Sequence, residues 1–196
     1  MKIKNFFQNF YRIVTRKIAS NNSIVDLIID IEKEWFVAIK AENSDCQENP
    51  EAFSSMRKMF FTPLSINTLK EYLDHISYMQ KIGRNLMIEK YSIMNGRLNV
   101  RSYNNLIDEI VSREKNWFIE MKEKFPALFS SQPIEYFENY LKSELITYSD
   151  KTVENYWNDV LNAINDNRNF AKERQEFLVK FLGYNSIEEM SKNYEK

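Results

Sequence analysis

Residues 31–36 read IEKEWF, and residues 113–118 read REKNWF. A tryptophan–phenylalanine pair with a glutamate three residues ahead of the tryptophan therefore occurs twice, 82 positions apart. Recurrence at a fixed spacing constrains a fold tightly, because each copy has to bury the same side chains in the same way. The match extends well past the hexapeptide. Residues 24–39 and 106–121 share Asp26/Asp108, Ile28/Ile110, Glu32/Glu114, Lys33/Lys115, Trp35/Trp117 and Phe36/Phe118. At an offset of 84, Glu51/Glu135, Phe53/Phe137 and Lys58/Lys142 align, followed by Ser65/Ser149, Thr68/Thr152, Tyr72/Tyr156, Arg84/Arg168, Asn85/Asn169 and Glu89/Glu173. Three blocks in the same order read as an internal duplication, with halves at about 22–94 and 103–190. The stretch NGRLNVRS at 95–102 joins them, and its Asn-Gly pair is a turn signal.

The repeated unit is helical. Ile28, Trp35, Phe36 and Ile39 recur at spacings of three, four and seven around Glu32, which places them on one helix face. Only three glycines and four prolines interrupt the chain, so long helices are favoured over hairpins. Ser23 reads as the cap of a helix over about 24–42, and Asn49-Pro50 as the start of a short one after the polar loop NSDCQEN at 43–49. Ser65 caps a long helix to about residue 94, and a further helix spans 103–124 before Pro126. Pro133 opens a short helix, Ser149 a long one ending near Gly183, and Ser186 a last short one. The expected fold is all-α: two duplicated helical units packed as a four-helix-core bundle, forming a single domain over 22–196. A hydrophobic content of 43% supplies a core for it.

Residues 1–21 stand apart as an N-terminal amphipathic helix. Ile3, Phe6, Phe7, Phe10, Ile13, Val14 and Ile18 share one side of a helical wheel, and Lys4, Asn5, Gln8, Asn9, Arg12 and Arg16 the other. Gln8, Asn9 and Arg12 break any apolar run, so a signal peptide is not expected. A helix of this kind docks on its own domain, enters a partner's groove or lies on an anionic membrane surface; docking at home is the reading favoured here. Residues 1–22 carry five bases and no acid, whereas the remainder, with 22 bases and 28 acids, is −6. Specific nucleic-acid binding by the main body is therefore not expected.

The lone cysteine, Cys46, makes no internal disulfide, which points to a reducing, cytoplasmic setting. No apolar run of about 18 residues is present to span a membrane. Gly-rich phosphate loops, nucleophile elbows, CxxC pairs and HExxH are all missing.

The segments SDCQENPEAFSSMRKMFF, GRNLMIEKYSIM and FENYLKSELITYSDKT resemble the bacterial domain-of-unknown-function family 4125, over about residues 22–190. Asp45, between Ser44 and Cys46, departs from the Ser-Cys-Gln loop of that family. The resemblance implies a helical fold and no particular reaction. Some members are joined to methyltransferase-like domains, which implies an accessory role.

The residues that invite chemistry are carboxylates inside apolar stripes. Glu32 and Glu114 lie on the tryptophan faces, Glu89 between Ile82, Leu86 and Ile93, and Glu173 between Phe170 and Phe177. A buried carboxylate needs a partner. In one reading the four glutamates point inward together and hold magnesium or manganese, although the Glu-x-x-His motifs of di-iron bundles are absent. In the favoured reading, Arg84 and Arg168 reach across an approximate twofold and pair with the buried glutamates. Arg57, next to Lys58 on the short helix, is a candidate anion-binding residue or part of a solvated face, and Cys46 a candidate thiol blunted by Asp45 and Glu48. His75, beside Asp74, reads as a surface residue. The expected function is a helical binding or accessory module that takes a small molecule, peptide or protein partner between its halves. A carboxylate-cluster metalloenzyme and a peripheral membrane protein anchored by residues 1–18 are the alternatives. The cofactor, if there is one, is left unknown by the sequence.

Overall fold

The computed structural model describes residues 21–39, 50–129 and 133–194. The N-terminal amphipathic stretch and Cys46 with its loop lie outside the described residues. Among the described residues ten helices follow one another: α1 (Asn21–Val37), α2 (Pro50–Phe61), α3 (Ile66–Lys81), α4 (Leu86–Met94), α5 (Leu106–Lys124), α6 (Pro126–Phe129), α7 (Ile134–Ile146), α8 (Asp150–Asn165), α9 (Phe170–Phe181) and α10 (Ile187–Tyr194). No strand occurs among the described residues.

Local signals place most helix ends. Ser65 accepts from the Thr68 amide at the start of α3, and Ser149 from the Thr152 amide at the start of α8. α2 begins at Pro50, where a missing N–H costs nothing. Ser23 differs: α1 starts at Asn21, so this serine lies inside the helix rather than capping it.

The two expected long helices are each a pair of shorter ones. α3 stops at Lys81 and α8 at Asn165. Gly83, at φ +78°, and Asn167, at φ +53°, turn left-handed just beyond. The Arg84 amide then donates to Met79 O at 2.9 Å, and the Arg168 amide to Ala163 O at 2.7 Å, closing each helix with a Schellman bond. Asn85 and Asn169 start the next helices by accepting from the Ile88 and Lys172 amides at 3.1 and 3.0 Å. The apolar spacing continues across both corners, which hides them from a periodicity argument. The four expected core helices thus become six, and α2 and α7 line the core beside them.

α1 packs along α3 and α5 along α8, while α3 and α8 meet in the middle. α2 lies between α1 and α9, and α7 between α5 and α4, so each short helix bridges to the other half of the chain. The main core draws on Ile28 and Trp35 of α1, Ile76 of α3, Ile110 and Trp117 of α5, Leu145 of α7 and Val160 of α8. A second cluster joins Phe118, Phe129, Val179 and Met190 from α5, α6, α9 and α10. The repeated phenylalanines have matching jobs. Phe36 stacks on Phe53 at 4.4 Å and Phe118 on Phe137 at 4.7 Å, fastening α2 to α1 and α7 to α5. Such pairs contribute about 0.5–1.5 kcal/mol beyond simple burial.

Candidate functional site: two buried ionic clusters and a surface groove

Glu32 and Glu114 are both almost fully buried, at 1% exposure, and each has a tyrosine and an arginine. The Tyr72 hydroxyl donates to Glu32 at 2.8 Å, and the Tyr156 hydroxyl donates to Glu114. These tyrosines occupy matched positions on α3 and α8. The arginines do not. Glu32 is gripped by Arg57 of α2, through Nε at 2.7 Å and Nη2 at 2.6 Å. Glu114 is gripped by Arg174 of α9, which also donates to the Tyr156 hydroxyl at 2.8 Å and to Phe60 O at 3.1 Å.

The expected pairing across the twofold is therefore replaced. Arg84 binds Glu89 through Nε at 2.8 Å and Nη2 at 2.5 Å, and Arg168 binds Glu173 through Nε and Nη2, both at 2.8 Å. Both pairs span five residues across a left-handed corner that brings the two side chains together. Their glutamates are about a quarter exposed, so neither points into the core. The four glutamates are thus divided among separate ion pairs. Among the described residues no three His, Cys, Asp or Glu side chains are grouped to hold a metal ion.

The first cluster is larger than the second. Arg57 Nη2 also donates to Glu144 of α7 at 2.7 Å, and Glu144 Oε2 lies 2.8 Å from the Lys90 ammonium of α4. Tyr148 donates to Glu144 at 3.1 Å, and Lys90 donates to the Tyr140 hydroxyl at 3.0 Å. Two cations and two carboxylates balance within a nearly dry site. Burial alone would raise the Glu144 pKa, but Arg57 and Lys90 overcome it and hold the carboxyl down at about 2. Burial would lower the Arg57 and Lys90 values; the neighbouring glutamates reverse this and raise both. Burial, reinforced by Glu32 and Glu144, also raises Tyr72 and Tyr148. The tyrosines therefore stay protonated donors and Lys90 stays an ammonium, which cannot act as a nucleophile. Arg57 Nη1 has no hydrogen-bond acceptor among the described residues; instead the guanidinium rests on the Phe60 and Phe61 rings at 4.9 and 4.6 Å. Arg174 covers the Phe60 ring too, at 4.7 Å, so α2 links the clusters.

At the offset of 84, Lys90 corresponds to Arg174, whereas Glu144 corresponds to Phe60 and Arg57 to Leu141. A carboxylate in one place is a phenyl ring in the other, and the ion count changes accordingly. A similar exchange marks the α3–α8 contact. Asp159 accepts from the Ser65 amide and the Thr68 hydroxyl, while His75, its counterpart, donates through Nε2 to Thr147 O at 2.9 Å.

Beside the first cluster, at the junction of the halves, is a cavity of about 10 Å³ bounded by Glu32, Tyr72, Lys90, Glu144 and Thr147. That is room for about one water. A groove of about 380 Å³ lies on the surface between α5 and α7. Asp108, Ser112, Lys115, Glu135, Glu138 and Lys142 line it, and two ion pairs, Lys142–Asp108 at 2.7 Å and Lys115–Glu138 at 2.8 Å, frame it.

A family model described as a protein of unknown function, DUF4125, matches residues 22–192. The chain belongs to this family. The DUF4125 match runs from α1 into α10 and contains both ionic clusters and the groove. Neither the curated proteins nor the solved structures yielded a match. Within this DUF4125 chain, sequence reasoning singles out Glu32 and Glu114 as buried acids, places Arg57 as an anion-binding or solvated residue where the structure buries it between Glu32 and Glu144, and overlooks Lys90, Glu144 and Arg174. One signal for two of these was present: a cation follows Glu89 and Glu173 directly at matched positions. Glu144 has no matched carboxylate and offered none.

Proposed function

We propose that the chain is a helical binding module whose ligand site is the groove between α5 and α7, within the second half of the chain, in place of the expected cleft between the halves, where the cavity beside Glu32 and Glu144 has room for about one water. One observation carries this reading: the buried charges neutralise one another, leaving the groove as a concave polar surface of ligand size. Its volume falls within the range of roughly 300–1,000 Å³ common to small-molecule sites. Lysines and carboxylates alternate around it, which suits a molecule or peptide segment carrying both signs of charge. Glu135, in the first turn of α7, has no ion-pair partner among the described residues and is the natural contact for a ligand cation. A cytoplasmic setting accords with the single cysteine, and no described helix is long and apolar enough to cross a membrane.

Amide chemical-shift mapping with free lysine, free glutamate and a lysine–glutamate dipeptide tests the assignment. The dipeptide should perturb Ser112, Lys115, Glu135 and Asn139 most, and Lys115→Ala with Glu135→Gln should abolish the effect. Shifts spread evenly over the surface, or none at saturation, would refute the groove as the site.

A further inference from the structure

The helix pairs α1–α2 and α5–α7 are built to one plan. Asp26 pairs with Lys58 at 2.8 Å, and its counterpart Asp108 with Lys142 at 2.7 Å. At the other end of each helix pair Phe36 lies on Phe53 and Phe118 on Phe137, with the rings 14° and 10° from parallel. An ion pair at one end and a ring stack at the other fix the same antiparallel register in both halves. The seam between α1 and α2 is therefore the counterpart of the α5–α7 groove.

The middle of the seam differs. In the second half Lys115 is held by Glu138 at 2.8 Å. The first half keeps the lysine as Lys33, but Ser54 stands where Glu138 would be and Ser55 where Asn139 would be. Lys33 is half-buried and has no ion-pair partner among the described residues. An ammonium partly withdrawn from water is less screened than one at the open surface, so it gains more from an anion. Asp30, in the place of Ser112, is exposed and makes no ion pair with it. We propose that the seam between α1 and α2 is a second binding site, which takes the carboxylate of a small ligand or peptide on Lys33. The Lys115–Glu138 pair shows the geometry. There an ammonium on α5 meets a carboxylate on α7; shortening that carboxylate residue to serine on α2 leaves its place to a ligand, held by a charge-assisted hydrogen bond. The two halves then read opposite charges: Glu135 a ligand cation in the second, Lys33 a ligand carboxylate in the first.

Amide chemical-shift mapping of the full chain with three small probes tests this. N-acetylglycine, a carboxylate without an ammonium, should shift Lys33, Ser54 and Ser55 and leave Ser112 and Asn139 in place. Its uncharged methylamide should shift neither set. Glycinamide, a cation without a carboxylate, should shift Glu135 rather than Lys33, so that failure of one site is read separately from failure of the other. Ser54→Glu, which supplies the missing partner, should weaken N-acetylglycine binding several-fold, and Glu138→Ser should create binding at Lys115. Each variant places at a partly exposed position the residue already found at the matched place in the other half, so the fold accepts both. No saturable shift at Lys33 with N-acetylglycine, equal shifts from the methylamide, or binding that Ser54→Glu leaves unchanged would overturn the proposal.

Discussion

Replacing Arg57 with methionine should be among the most damaging single changes the fold can receive. The substitution removes two hydrogen bonds to Glu32 and one to Glu144, and changes the buried cluster from neutral to −1. Breaking a buried pair from one side costs about 3–5 kcal/mol, because the remaining charge stays desolvated. Tyr72 still serves Glu32, and Lys90 and Tyr148 still serve Glu144, which keeps the loss inside that range. For a chain of this size about 2–4 °C accompanies each kcal/mol, so Tm should fall by roughly 6–20 °C. Adding Glu32→Gln restores neutrality while keeping an acceptor for Tyr72, and should recover about half the loss. Urea unfolding followed by circular dichroism reads both variants. A single variant within about 1 kcal/mol of the parent, as for an exposed pair, would refute the view that this cluster is a desolvated, charge-balanced unit. A double variant no better than the single would refute it equally.

Three further outcomes follow from the same geometry. Glu144 has its pKa lowered from 4.5 to about 2 in the folded chain, so its contribution is complete above pH 4.5 and is lost as pH falls toward 2. That contribution is about 3 kcal/mol, and Glu144→Gln should flatten the acid limb of a stability–pH curve over this window; an unchanged slope would argue against it. Gly83→Ala should cost about 1–2 kcal/mol from its positive φ alone, since nothing lies within 4 Å of an added Cβ, and Gly83→Asn should cost less because Asn167 holds the matching position at φ +53°. Thermal melts of the two variants that coincide would contradict this. Glu89→Gln, which breaks a partly exposed pair with Arg84, should change stability by under about 1 kcal/mol, and a loss matching that of Arg57→Met would contradict the placement of this pair at the surface.

Much of the fold is written in short-range pattern. Helical class, the caps at Ser65 and Ser149, the proline start of α2 and the matched roles of Phe36 and Phe118 all follow from spacings of a few residues, because helix geometry is local. The need of Glu32 and Glu114 for partners is equally legible, since a carboxylate on an apolar face cannot stay alone. The identity of those partners is not. Arg84 and Arg168 look eligible on their helix faces, yet a single left-handed residue before each turns them onto Glu89 and Glu173. Gly83 announces such a corner, whereas Asn167 does not. Arg57 lies 25 residues from Glu32, and Arg174 lies 60 from Glu114. Their contacts depend on how α2 and α9 cross the body, which no local spacing encodes. The same holds for Glu144 and Phe60, matched in sequence position but opposite in chemistry. The chain by itself determined that Glu32 and Glu114 would be buried on the tryptophan helices; packing between distant helices decided which cation answers each carboxylate and which further charges join them, because that choice is made by side chains meeting across the core.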